Sequence, residues 1–103
     1  MNSSSRNQGA AAKGRKAFSA VRGNSNTCDL RGFRVDEALS ELEFFFDRML
    51  QMRNDVCFVL HGHGGGALKT AVRRELPQSS YVSDWRPADA HEGGDAFSVV
   101  LLR

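Results

Sequence analysis

Apolar residues recur along this chain in two rhythms. From Val35 to about Met52 they return every third or fourth position: Val35, Ala38, Leu39, Leu42, Phe45, Phe46 and Met49. That spacing lays one apolar stripe along a helix. Asp36 and Glu37 suit the positive end of the helix, and Phe44 falls on the opposite, exposed face. A second helical pattern, Leu68, Ala71, Val72 and Leu76, follows a run of glycines and stops at Pro77. Elsewhere the apolar residues run together or alternate, as in strands. Thr27–Leu30, Val56–Leu60, Ser80–Arg86 and Ala96–Leu102 read this way. In the third of these, Tyr81, Ser83 and Trp85 take one side, and Val82 and Asp84 the other. Arg53-Asn54-Asp55 is a turn, and 87–95 is a polar loop.

The order is therefore strand, helix, strand, helix, strand, strand. A helix joins the first two strands, which makes them parallel with a right-handed crossover. A loop joins the last two, which makes them an antiparallel hairpin. The expected fold is α/β: a two-layer sandwich, a four-stranded mixed sheet with two helices on one face. The other face is expected to be open to solvent or to a partner.

The chain has 103 residues, enough for one small domain with a modest core. Its net charge of +2 hides an uneven distribution. Arg6, Lys13, Arg15, Lys16 and Arg22 lie in the first 28 residues, which hold no acid. Nine basic residues then face all 12 acids in the rest. Residues 1–25 are poor in large apolar side chains and read as a disordered basic tail before a domain at 26–103. Such a tail fits a linker, a nucleic-acid-binding arm or an organelle transit segment. No apolar run is long enough for a membrane, so no membrane partner is expected. Cys28 and Cys57 read as buried free thiols of a reducing compartment. A cytoplasmic location is expected, with organelle import if the tail is native, and a monomer for the isolated domain.

Chemistry concentrates where the second strand meets the second helix. Val56-Cys57-Phe58-Val59-Leu60 runs into His61-Gly62-His63-Gly64-Gly65-Gly66. Backbone amides at a helix start lack partners and favour anions, and glycines let a ligand approach them. Lys69, Arg73 and Arg74 follow on the helix and extend the site into a phosphate-binding footprint. A dinucleotide fingerprint fits the letters Gly62-x-Gly64-x-x-Ala67 but follows the wrong strand, and the Walker pattern fails at both glycines. No nucleotide cofactor is expected. His61-x-His63, with Asp29 or Asp84, lacks the further ligand of a zinc site. Mg²⁺ or another divalent cation, shared between a carboxylate and phosphate, is the cofactor this pattern accommodates. Tyr81 and Trp85 read as packing residues rather than base-stacking platforms.

Three stretches, CDLRGFRVDEAL, VLHGHGGGALKTAVRREL and WRP…EGGDAFSVVLL, together resemble the small MutS-related (Smr) domain. The likeness runs from about Asn26 to the end, and is greatest to the C-terminal domain of the bacterial MutS-like second paralogue. Its first signature falls on Asp29, Leu30, Arg31 and Gly32, its second on His61, Gly62, Gly64 and Gly66. Cys28 stands where a Leu is usual, Gly65 where Thr or Ser is frequent, and Arg31 where some members have His. The resemblance implies a fold like the C-terminal domain of translation initiation factor three. It also implies binding of DNA or RNA, nicking endonuclease activity, and roles in recombination and repair or at stalled ribosomes.

Two function classes follow. In a phosphodiester-cleaving domain, phosphate sits on the Gly64–Gly66 amides with Lys69 and Arg73 adding charge. Arg31 stabilises the transition state, His61 is the titrating group, and Asp29 orients it or holds a metal. In a non-catalytic RNA-, ribosome- or branched-DNA-binding module, the same groups, with Gly32, Gly62, His63, Gly65 and Arg74, grip phosphate without chemistry.

Overall fold

The computed structural model describes residues 18–103. Four strands form one sheet: β1 (Thr27–Asp29), β2 (Val56–Leu60), β3 (Val82–Pro87) and β4 (Phe97–Leu102). Their order in space is β1-β2-β4-β3. β1 runs parallel to β2, with Asp29 opposite Leu60. β4 is antiparallel to both β2 and β3. The helices are α1 (Val35–Gln51) and α2 (Ala67–Glu75), on one face of the sheet. This is the expected two-layer α/β arrangement.

Burial explains the order. β2 and β4 are the apolar runs, and they take the centre, with Cys57, Phe58, Val59, Val99 and Val100 fully buried. The main core lies under the helices. It joins Leu42, Phe45, Phe46 and Met49 of α1 to Val72 of α2, Leu76 just beyond it, and the inward residues of the sheet. Val35, expected in the stripe, is exposed at the first turn. Phe44 is exposed as expected. Pro77 does not end α2 abruptly: a 3-10 turn, Leu76–Gln78, carries the chain one step further and buries Leu76.

The expected alternation in β3 fails at one point. A bulge falls between Val82 and Asp84. The extra residue shifts the side-chain parity. Val82 and Trp85 therefore both pack on the helix-side core, where alternation would put them on opposite faces. Tyr81 packs there too, against Phe46.

The second face of the sheet is not open. Phe58, Val99 and Ala88 form a smaller core with Phe18, which is 4% exposed. Residues 18–25, assigned to the tail by composition, instead strap this face. Arg22 stacks over Phe97 at 4.1 Å, and Arg86 lies 5.5 Å from the Phe18 ring. A single aromatic anchor was enough, because the sheet face supplies the rest of the apolar surface. The remaining tail, 1–17, lies outside the described residues.

Both cysteines are buried and free. Burial pushes each thiol up to about 12. We expect neither to react with a thiol reagent at pH 8 in the folded protein, and both to react in denaturant. Rapid native alkylation at either would contradict the packing.

Candidate nucleic-acid interface

The parallel pairing of β1 and β2 brings the two signature segments to one edge of the sheet. Asp29 ends β1 and His61 follows β2, both at the carboxyl ends of their strands. Leu30 donates its amide to the Leu60 carbonyl at 2.8 Å, which locks the two exits together. Gly62 has φ +76, and a Cβ built there would lie 3.2 Å from Cγ of Arg31. The Arg31 stem therefore lies against Gly62, where the positive φ favours glycine and a larger residue would press on that stem.

The loop is held from behind. The amides of His61 and Gly62 both donate to the Ala96 carbonyl, at 3.1 and 3.0 Å. Gly66 donates to His63 at 2.8 Å and, at φ +86, turns the chain into α2. His63, Gly64 and Gly65 are exposed, and their amides donate to no acceptor among the described residues. With the free amides of the first turn of α2, they form an anion-binding surface.

His61 is not at that surface. Its residue is 4% exposed, and it faces the helix side of the sheet. Nδ1 lies 3.1 Å from the Gly62 carbonyl and Nε2 lies 2.9 Å from Ser98 Oγ. Arg73 Nε lies 2.9 Å from the same hydroxyl. With one proton on the ring, the arrangement that satisfies all three contacts has Arg73 donating to Ser98, Ser98 donating to Nε2, and Nδ1–H donating to Gly62. Burial is the largest cause lowering the His61 pKa, and Arg73 and Lys69 add to it. The ring is occupied on both sides. It props the loop rather than meeting substrate.

The expected pairing of Asp29 with His61 is not formed. Asp29 takes Arg31 instead: Arg31 Nε donates to Oδ1 at 2.9 Å and Nη2 to Oδ2 at 2.8 Å, and the Arg31 amide also caps Oδ1. Alternation explains this. Cys28 and Leu30 point to the helix-side core, so Asp29 points to the other face, away from His61. The guanidinium holds the Asp29 carboxyl below its ordinary range. Both side chains stay accessible, at 62% for Arg31 and 49% for Asp29.

Lys69 and Arg73 were expected on an exposed basic face. Their side chains are only 26% and 18% exposed, and both bind Asp95 at 2.8 Å. Together they draw the Asp95 carboxyl down to about 2. Arg73 also reaches the Phe97 carbonyl and lies 5.5 Å from the Trp85 ring. It is a strut between α2 and β4. Arg74 and His63 are exposed; Gly32, at φ +85, makes the exposed turn behind Arg31.

These facts decide the metal question at the sheet edge. Both Asp29 oxygens serve Arg31, Asp95 serves Lys69 and Arg73, and both nitrogens of His61 are engaged. The residues at this edge do not fit a resident divalent cation. Asp84 does not join them: its carboxylate accepts the Trp85 amide. Elsewhere Asp89, His91 and Glu92 bring ligand atoms within 4.8 Å of one another and could hold an ion. Glu92, however, already gives both oxygens to Arg86 at 2.7 Å.

Ser98, Asp95, Arg86 and Glu92 were missing from the sequence-derived site. Ser98 had left a signal: it is the one polar residue inside AFSVVLL. The ion pairs of the 87–95 loop had left none.

The geometry has counterparts among known proteins. The Smr domain family model matches residues 28–103. Endonuclease MutS2 of Anaeromyxobacter sp. (strain Fw109-5) is 51% identical over 85 residues, 82% of this chain but 11% of that protein. The chain thus spans about a tenth of the length of such relatives. The crystal structure of the Smr domain of Thermus thermophilus MutS2 superposes with a TM-score of 0.73 at 36% identity, covering 76% of this chain and 98% of that one. YdaL, a stand-alone small MutS-related protein from Escherichia coli, shares the fold at 19% identity, with a TM-score of 0.77 over 95% of this chain and 78% of its own. The paired signatures at one sheet edge, the family match and the Thermus likeness agree: this chain belongs to the Smr domain family.

Proposed function

We propose that this domain grips the phosphate backbone of DNA or RNA at the carboxyl edge of the sheet and nicks it there. The observation that carries this reading is the exposed Asp29–Arg31 pair lying against Gly62, beside the free amides of His63 to Gly65. Phosphate rests on the amides. Arg31 faces the scissile group and stabilises the charge that builds on phosphorus-bound oxygens. Asp29 fixes the guanidinium in one orientation. The His63 ring, exposed at the loop tip, replaces His61 as the imidazole within reach of substrate. The relatives named Endonuclease MutS2 support the cleavage half of this reading.

A second reading, a non-catalytic grip on RNA, the ribosome or branched DNA, is favoured by the enclosure of His61, which withdraws that imidazole from the edge. Cutting by purified protein separates the two. Arg31→Ala should lower cleavage of a labelled strand roughly a hundredfold or more, the scale of one lost transition-state donor, while binding falls far less. Asp29→Asn should follow in the same direction, because it frees Arg31 to turn. If clean preparations never cut, or Arg31→Ala cuts at the full rate, only the grip remains.

A further inference from the structure

Beside the Asp29–Arg31 pair, on the second face of the sheet, lies a groove lined by Arg22, Asn24, Thr27, Leu60 and Phe97. Its outer wall is the N-terminal strap, which lies before the stretch matched by the family model. Resting on the phosphate-binding reading above, we propose that this groove takes one unpaired nucleotide next to the phosphate held at the sheet edge, with its base stacked on Arg22.

Several observations point to that ligand class. The floor is apolar, from Leu60 and Phe97, both only partly buried. Arg22 Cζ sits over the Phe97 ring, 4.1 Å from its centroid, and the residue is otherwise exposed. It has no acidic partner among the described residues. A guanidinium plane backed by an aromatic ring offers its outer face to a base. The rim carries Asn24, whose amide both donates and accepts, as recognition of a base edge requires. The stack is built in. A Cβ at Gly93 would lie 2.5 Å from Arg22 Nη1 and 2.6 Å from the Phe97 ring, so the glycine is what admits both. The strap is held by Phe18 in the second core and by Asn26, which donates to the Val21 carbonyl and accepts from the Gly23 amide. A paired base cannot enter such a groove, so the preferred substrate is a strand with an unpaired nucleotide: single-stranded, bulged or frayed.

The test compares two labelled probes: a full duplex, and the same duplex with one bulged nucleotide. The unmodified chain should bind the bulged probe more tightly. Arg22→Ala should weaken bulged binding about tenfold, the size of one stacked base, and erase the preference. Its log affinity should also fall less steeply with log salt, by about one unit of slope, since one cationic side chain beside the strand is gone. Arg22→Lys should keep that slope and still lose much of the preference, because an ammonium does not stack. Asn24→Ala, at an exposed position, repeats the test should Arg22→Ala loosen the strap. Equal weakening on both probes would make Arg22 a phosphate contact only and overturn the subsite. So would unchanged binding in Arg22→Ala and Asn24→Ala. If the unmodified chain binds neither probe, the phosphate-grip reading falls with it; if it binds both equally, the subsite alone falls.

Discussion

Replacing His61 by alanine should destabilise the fold and weaken nucleic-acid binding and cleavage together. A surface general base would behave differently, losing cleavage alone. The ring fills a closed site and satisfies the part-buried Gly62 carbonyl and the buried Ser98 hydroxyl. Removing it leaves a cavity and orphans both, a cost of about 2–4 kcal/mol. For a domain this size that lowers Tm by roughly 10 °C or more. The glycine loop, no longer propped at Gly62, loses the arrangement of its amides, so affinity falls as well. Ser98→Ala should act in the same direction but less strongly, since it orphans His61 Nε2 and Arg73 Nε without opening a large space.

The pH dependence has a definite sign. The folded His61 pKa lies below the ordinary imidazole value. Its contribution is therefore complete above about pH 6.5, the unfolded value, and is lost as pH falls towards the folded one. Stability of the unmodified protein should decline on acidification below that point, and this decline should be missing in His61→Gln. Thermal unfolding of the two proteins from pH 8 to 5 checks it. A fully stable His61→Ala that binds normally and has lost only cutting would return His61 to the reacting centre.

The fold was largely written in periodicity. The run Val56–Leu60 and the stripe Ala38 to Met49 each fixed an element, because burial on both faces or one face leaves a direct mark on side-chain choice. Parallel pairing of β1 and β2 followed from a helix between them, and with it the meeting of Asp29 and His61 at one edge. What periodicity could not say was which side of the sheet each residue takes at that edge. Asp29 is on the face opposite Cys28 and Leu30, while His61 continues the parity of Cys57 and Val59. They are near in chain topology yet divided by the sheet. Lys69 and Arg73 were read as exposed because helix periodicity places them off the apolar stripe. Their partner, Asp95, comes from a loop whose path no pattern announces. The strap was hidden for a related reason. Phe18 is the one aromatic side chain before Phe33, and its burial depends on a sheet face formed more than 35 positions later.

That hidden contact rests on the other large effect expected here: breaking the ion pair between Arg86 and Glu92. Glu92→Gln should destabilise the protein by about 1.5–3 kcal/mol, less than the full cost of orphaning a buried charge, because Arg86 keeps Asp89 at 3.9 Å and the Pro87 carbonyl at 3.3 Å. The side chains are 12% and 8% exposed and meet through two bonds of 2.7 Å. Glu92 also accepts the Asp89 amide at 2.8 Å, which closes the 3-10 turn Ala90–Glu92. That turn leads into Gly93, against which Arg22 and Phe97 pack. On its other side Arg86 lies against the Phe18 ring. One pair thus holds both the loop and the strap that flank the proposed groove. Arg86 is the chief cause that pulls the Glu92 carboxyl down to about 2. A depressed carboxylate stabilises the folded state fully above its unfolded value and loses that contribution as pH falls through the folded one. The pair's share should therefore disappear between about pH 4.5 and about 2, and Glu92→Gln should lack that step. A double replacement, Arg86→Met with Glu92→Leu, removes both charges and should recover much of the stability lost by Glu92→Gln. Binding gives the further readout. If the loop and strap depend on this pair, Glu92→Gln should lose the preference for a bulged probe at temperatures where it remains folded, while retaining duplex binding at the glycine loop. A Glu92→Gln protein with unchanged Tm, acid stability and probe preference would mean that the strap is held without this pair, by Phe18 and the Asn26 hydrogen bonds.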